Sequence, residues 1–410
     1  MSRWIGTVFY TYLSLQILPF VVTLGGYLPL TGDMLSALMD PINGWTAEYL
    51  LGLEGVVRNA PNGSGDTLYN WVHEVTLLGL AVVVGSILTA AWRSERGKRR
   101  WYAWLLVLVT VYIASCMLLY GFAKVFPRPF GQPSLLSLYE NYGQSSPMRL
   151  LWTFMSYSRP YTVFTGILEV AAGVLLIPRY TRTLGALLTL GIMANVLMLN
   201  LSYDVPVKIF SMQLIMLTLF LIYADRKRLL QFLRNNPVGP RTFPTLTHSE
   251  LANRILSRGK YVLLVFICGL TIFMNTQSLP GHERSPLYGI YNVESMTEQR
   301  PDESSSRPRW QRLIFEVPEM MVAVLPDGSN KSFRCTIDAD KRSLIVHQRD
   351  DPDATYMDLS YRKSEDGLVF TGTSYTRDVR IETETVDLTS FGINRGFNWV
   401  NETPYNRYQY

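Results

Sequence analysis

Apolar residues follow two different patterns along this chain. Up to about position 275 they come in long runs, several of about 17 to 22 residues, the length that crosses a bilayer's hydrocarbon core. Seven such segments, at 5–24, 75–92, 103–122, 161–177, 183–201, 209–223 and 261–275, predict seven membrane-crossing helices. Beyond 276 the runs shorten and begin to alternate: "GIYNVESM", "RWQRLIFEV", "MMVAVL", "SFRCTID", "SLIVHQ", "MDLSYRK", "LVFTGT" and "VRIETETVDLT". These read as eight strands, and "PDGSN" and "SEDG" carry hairpin-turn chemistry in which Asp-Gly places a residue at positive φ. The expected architecture is an α-helical multi-pass membrane part joined by the tether "TQSLPGHERSP" to a small antiparallel all-β domain. That domain would be a barrel or sandwich, somewhat lipocalin-like, either with a binding cavity or solid.

Charge orients this plan. "RSERGKRR" holds five basic residues, "PRYTR" two, and 224–260 eight, while the alternate loops are poorer in basic residues by density. The positive-inside rule then places the N-terminus in the cytoplasm and, after seven crossings, the C-terminal domain outside. The first span lacks a small-residue cleavage site and reads as an uncleaved anchor. Of 410 residues with a net charge of +5, the β region carries 16 basic against 21 acidic residues, leaving the membrane part at +10. Those cations sit at membrane edges, where they meet anionic lipid, so nucleic-acid binding is not indicated.

Cys116, Cys268 and Cys335 form no CxxC pair, and the four histidines, His73, His248, His282 and His347, are scattered. Neither a dithiol relay nor a zinc or haem site is written locally, and a domain with one Cys makes no disulfide of its own.

Polar residues inside spans are costly, so each is a candidate site. Glu169 is the single charged group of its span, roughly 12 Å below the outer end at 1.5 Å per residue. Tyr161, Thr165, Glu169 and Gly173 recur at four-residue intervals and suggest one polar, small stripe. Asn195 and Gln213 lie in the next two spans, Lys124 ends the third, and Asp204 and Lys208 lie in the turn "SYDVPVK". Order and polarity gather Lys124, Glu169, Asn195, Asp204 and Lys208 in the outer half of a four-helix unit. Blander roles stand beside this one: snorkelling for the two lysines, helix packing for Asn195 and a helix cap for Asp204. Glu169 needs Lys124 or Lys208 as a partner, or a proton. Asp66 and His73 in "GSGDTLYNWVHE" either roof the same cavity or act as a helix cap and a satisfied interfacial histidine. The aromatic tail "GFNWVNETPYNRYQY" is expected to pack on the barrel or lie at the membrane interface.

"YGFAKVFP", "FTGILEVAAGVLLIPRYTRTLGALL", "MANVLMLNLSYDVPVKIFS" and the closing "GFNWVNETPYNR" together resemble the DoxX-like membrane family, in the long bacterial form with an appended C-terminal domain. The resemblance implies a four-helix core at 103–223, preceded by spans and an outer loop at 1–102. A cytoplasmic linker and seventh span would follow at 224–275, and an extracytoplasmic β-rich domain at 276–410. It further implies a bacterial inner-membrane protein with a redox role, relation to subunits of thiosulfate and quinol oxidoreductases, and a quinone as the expected cofactor-like ligand. Under that reading Glu169 exchanges a proton, Lys124 holds a developing oxyanion or acts as a base, and Asn195 orients the substrate. Asp204, Lys208, Tyr161, Thr165 and Gln213 would contact quinone-type or small-carbonyl substrate. The rival expectation is a non-enzymatic anchor or assembly factor whose outer domain binds a membrane or periplasmic protein.

Overall fold

The computed structural model describes residues 3–22, 29–58, 62–92, 94–126, 130, 134–139, 142–239, 246, 247, 249–277, 284–300, 303–305, 310–347, 354–375, 377–394, 396, 398–400 and 402. They form two compact units: Met1–Phe130 with Ser146–Ser278, and Gly131–Ser145 with Leu279–Tyr410.

The first unit is helical: α1 (Arg3–Val22), α2 (Pro29–Trp45), α3 (Leu68–Ala91), α4 (Glu95–Val125), α5 (Pro147–Tyr157), α6 (Arg159–Leu176), α7 (Arg182–Ser202), α8 (Lys208–Ala224), α9 (Arg226–Leu233) and α10 (Glu250–Gln277). Local chemistry sets several starts. The hydroxyls of Thr67, Ser94, Ser146 and Ser158 each accept a backbone N–H three residues on, and prolines occupy the first turns of α5 and α6. Among the described residues, α1, α3, α4, α6 and α7 are long and apolar enough to cross a membrane. The chain bends by 71° between α8 and α9, and α10 carries a shorter apolar stretch, Tyr261–Phe273. The helical part of the expected architecture is therefore present.

The core of this unit runs along α4, where Leu105, Val109 and Ile113 pack with Leu13 and Ile17 of α1, Leu176 of α6, and Leu214, Leu217 and Leu221 of α8. The α4–α6 contact is closest at two glycines. A Cβ on Gly166 would lie 2.6 Å from the Gly121 carbonyl oxygen, and one on Gly121 would lie 2.8 Å from the Val170 nitrogen. Neither position can hold a larger residue without moving backbone, which is how small residues draw membrane helices together.

The second unit is an antiparallel barrel. Its strands are β1 (Gly289–Arg300), β2 (Glu303–Ser305), β3 (Arg312–Phe315), β4 (Met320–Val324), β5 (Asn330–Asp338), β6 (Ser343–His347), β7 (Thr355–Lys363), β8 (Leu368–Ser374) and β9 (Arg377–Thr385). Neighbours from β3 to β9 pair in sequence order. The long β1 pairs with β3 through its first residues and with β9 along the rest, closing eight strands, while β2 is a short addition to the end of β1. Inward residues fill the interior: Leu313, Phe315, Met321, Ala323, Cys335, Leu344, Val346, Met357, Leu359, Phe370, Val379 and Ile381 are all buried. Of the barrel and the sandwich expected for this domain, the barrel is the one observed.

The turns divide by mechanism. In "PDGSN", Gly328 takes φ +81° and Asp327 Oδ1 accepts both the amide and the hydroxyl of Ser329. "SEDG" closes instead through a 3.0 Å Ser364–Gly367 backbone bond. There the glycine is required by crowding and not by positive φ: an added Cβ would lie 2.0 Å from the Thr383 carbonyl oxygen.

An unexpected piece completes the unit. The α4–α5 connection contributes Leu135–Tyr139, a 3₁₀ turn on the outer face of the barrel. Leu135 is buried with Ile290, Ile314, Val322 and Val324, the outward residues of β1, β3 and β4. The Leu135 amide donates to Glu316 (3.2 Å), and the Arg312 guanidinium lies 4.0 Å from the centre of the Tyr139 ring. The expected tether lies outside the described residues at 278–283, as does the tail at 401 and 403–410. Trp399 is 90% exposed, so this part of the tail is not buried in the barrel.

Candidate functional site

Lys124 stands in the last turn of α4 and Glu169 in the middle of α6, at the level where the two glycines bring these helices together. Their side chains meet, with Lys124 Nζ 2.5 Å from Glu169 Oε1. The Lys124 and Glu169 side chains are only 16% and 5% exposed. A carboxylate held this deep has two oxygens to satisfy, and Oε2 of Glu169 is buried without a hydrogen-bond partner. Leaving such an acceptor unmet costs about 1–3 kcal/mol or more. The pair thus combines one satisfied oxygen with one open to a proton or a donor.

The rest of the expected constellation separates. The buried face of α6 carries Thr162, Gly166, Glu169, Gly173 and Leu176, with spacings of three and four. A strict four-residue stripe drifts around a helix of 3.6 residues per turn. Tyr161 therefore falls on the exposed face beside Phe154, while Thr165 is half-buried and donates to the Thr162 carbonyl. Asn195 and Gly191 are exposed on α7. The buried asparagine of that helix is Asn200, which bonds Ser211 Oγ at 3.2 Å. Asn195 thus does not join Lys124 and Glu169, a correction to the expected gathering. The buried run Gly185, Ala186, Thr189, Met193 and Asn200 marks the packed face and could have revealed this in the sequence.

Asp204 and Lys208 belong to a second group. Asp204, at φ +50°, is 82% exposed at its side chain and accepts Lys208 Nζ at 2.8 Å. Lys208 Nζ also lies 3.7 Å from Asp66. The cap of α8 is Asp66 and not Asp204: its carboxylate accepts the amides of Lys208 (2.7 Å) and Ile209 (3.0 Å). Asp66 is therefore a cap for a distant helix, and His73 is held by Asn43. Thr67, and not Asp66, caps α3 itself.

Gln213 marks a third group that the sequence reading left incomplete. Its amide donates to Oε1 of Glu74 at 2.7 Å, while Oε2 of Glu74 accepts Gln16 (2.5 Å) and the Tyr12 hydroxyl (3.0 Å). A carboxylate with three neutral donors links α1, α3 and α8. Glu74 lies one position before the expected second span and so escaped notice. The signal was present in Tyr12 and Gln16, four apart on one helix face.

Among the described residues, no cluster of three or more His, Cys, Asp or Glu side chains could hold a metal ion. A stretch of 133 residues, 32% of this chain, is 30% identical to the uncharacterized protein YwoB of Bacillus subtilis (strain 168) and spans 83% of that protein. No protein-family model matches the chain, and no solved structure matches it.

Proposed function

The chain belongs to the family of the Bacillus subtilis protein YwoB. From the residues of the chain itself we propose that it is a DoxX-like integral protein of the bacterial inner membrane that handles protons at Glu169 in a redox reaction. The observation carrying this reading is the buried Lys124–Glu169 pair with its free carboxylate oxygen. Removing one member of a buried pair is strongly destabilising, while apolar replacements of the whole pair are often neutral, so keeping one in a lipid-soluble helix pair calls for a use. The orphaned Oε2 fits a hydroxyl donor such as that of a quinol or an enol. Glu169 takes or returns the proton there, and Lys124 holds the charge on Oε1 through the exchange. The close Gly121–Gly166 contact leaves no space between α4 and α6 at this level.

In this reading α1, α3, α4, α6, α7, α8 and α10 are the seven crossings, α4 and α6 to α8 form the core, and the barrel is extracytoplasmic. A reporter fused after Tyr410 is active outside and one fused after Arg228 inside; a cytoplasmic signal from the terminal fusion overturns the count.

The reaction is tested with Glu169→Gln, which keeps shape and removes the exchangeable charge. Compared at equal membrane abundance, it loses function in a cell that depends on the protein, and purified wild type binds a short-chain quinone. Full function of the variant removes Glu169 from the chemistry. A second reading, an anchor or assembly factor, draws on the barrel's filled interior and on the loop bound to its wall. It is favoured when Glu169→Gln is fully active and a partner co-purifies through the barrel.

A further inference from the structure

The corner between α8 and α9 carries a feature outside that chemistry. α8 is almost wholly apolar and ends at Ala224; Asp225 follows, and α9 leaves at 71° with the sequence RKRLLQFL. At 100° per residue, Leu229, Leu230, Phe232 and Leu233 occupy one side of α9 while Lys227, Arg228 and Gln231 occupy the other. The apolar side is uncovered: Leu230 is 49% exposed, Phe232 72% and Leu233 75%.

The charges of this corner are unbalanced. Asp225 is answered by Arg182 (3.6 Å) and by the Thr183 hydroxyl (2.6 Å). Arg226 stacks on Tyr223 at 3.9 Å and donates to its carbonyl, and Arg228 donates to the Gly239 carbonyl. Among the described residues, Arg226, Lys227, Arg228 and Arg234 make no ion pair, so four cations surround an exposed apolar strip. A helix that turns sharply from the end of a membrane-crossing helix runs near the plane of the bilayer surface, where acyl chains cover such a strip and headgroups meet its cations.

We propose that α9 is an interfacial helix and that the α8–α9 corner binds anionic phospholipid, with the phosphodiester on Lys227 and Arg228 and the acyl chains against Leu230, Phe232 and Leu233. The proposal requires only that α8 crosses the membrane, and it holds whether or not Glu169 is catalytic.

The test uses the full chain in nanodiscs of equal phosphatidylglycerol and phosphatidylcholine, with the lipids that stay bound measured by native mass spectrometry. Each surface cation is worth about a fivefold preference for anionic lipid. Wild type retains phosphatidylglycerol in excess by about that factor or more. Lys227→Gln with Arg228→Gln brings the ratio close to the mixture, and Phe232→Ser with Leu233→Ser lowers it as α9 lifts away; these side chains are exposed, so the fold stays intact. Arg334→Gln, a charge loss on the exposed face of β5, keeps the excess. An unchanged ratio in the Lys227 and Arg228 variant overturns the assignment, as does an equal loss in the Arg334 control. A rise in melting temperature from inorganic phosphate in phosphatidylcholine discs, or dimers that vanish with Phe232→Ser, would assign the corner to a free anion or to a second copy and also overturn it.

Discussion

Asp66 caps a helix 142 positions away: its two carboxylate oxygens receive the amides of Lys208 and Ile209, and the neighbouring Gly65 amide donates to Pro206 at 2.8 Å. The segment before α3 thereby holds the entrance of α8. Pro206 has no N–H and lies in the turn, while the first amides of α8 are the orphan donors that every helix presents. Asp66→Ala should lower stability by about 0.5–2 kcal/mol, and Asp66→Asn, which still accepts, by less. Thermal unfolding in detergent reads the difference; equal losses would show that the cap's charge, and not its geometry, matters.

The Lys124–Glu169 pair is open to a double-mutant cycle. Lys124→Met and Glu169→Gln each leave a buried group without its counterpart, costing about 3–5 kcal/mol singly for a fully buried pair. The double variant should lose less than the sum of the singles. Additive losses would mean that the pair contributes no coupling to stability.

At Glu74 the donors of Tyr12, Gln16 and Gln213 all depend on one side chain. Glu74→Ala strands these donors, at about 1–3 kcal/mol for each that water cannot reach. Glu74→Gln keeps an accepting oxygen and should cost less. Melting temperatures of the two variants in detergent decide the order, and the reverse order would argue against these bonds.

Cys335 lies inside the barrel, and burial pushes its thiol up to about 12, with Glu319 adding to the effect. The thiolate that reacts is then absent at pH 8 while the barrel stands. In a variant lacking Cys116 and Cys268, maleimide should label the folded protein far more slowly than the denatured protein. Equal rates would show that the barrel opens readily.

What was legible in the sequence follows the range of the forces involved. Apolar runs and alternation are local, so the apolar helices and the eight barrel strands could be read directly. Lys124 and Glu169 could be paired because a lone charge in a span demands a partner and adjacent antiparallel helices offer few. Asn195 was misplaced because helix rotation is set by packing, and a small residue such as Gly191 marks an exposed position as readily as a tight contact. Glu74 was missed because a span edge is uncertain by a turn. The barrel contact of Leu135 joins residues more than 150 positions apart, and no local pattern announces such a partner.

The loop at Gly131–Ser145 also bears on assembly. Strands β1, β3 and β4 turn Ile290, Ile314, Val322 and Val324 outward, and the cover for them is made some 150 residues earlier in synthesis. Leu135 and Tyr139 must wait for a wall that does not yet exist, and the barrel, once made, closes around a debt to the middle of the chain. Excised at its tether, the C-terminal domain would carry an oily stripe on three neighbouring strands, a surface suited to self-association. A transplantable version has to bring the loop with it.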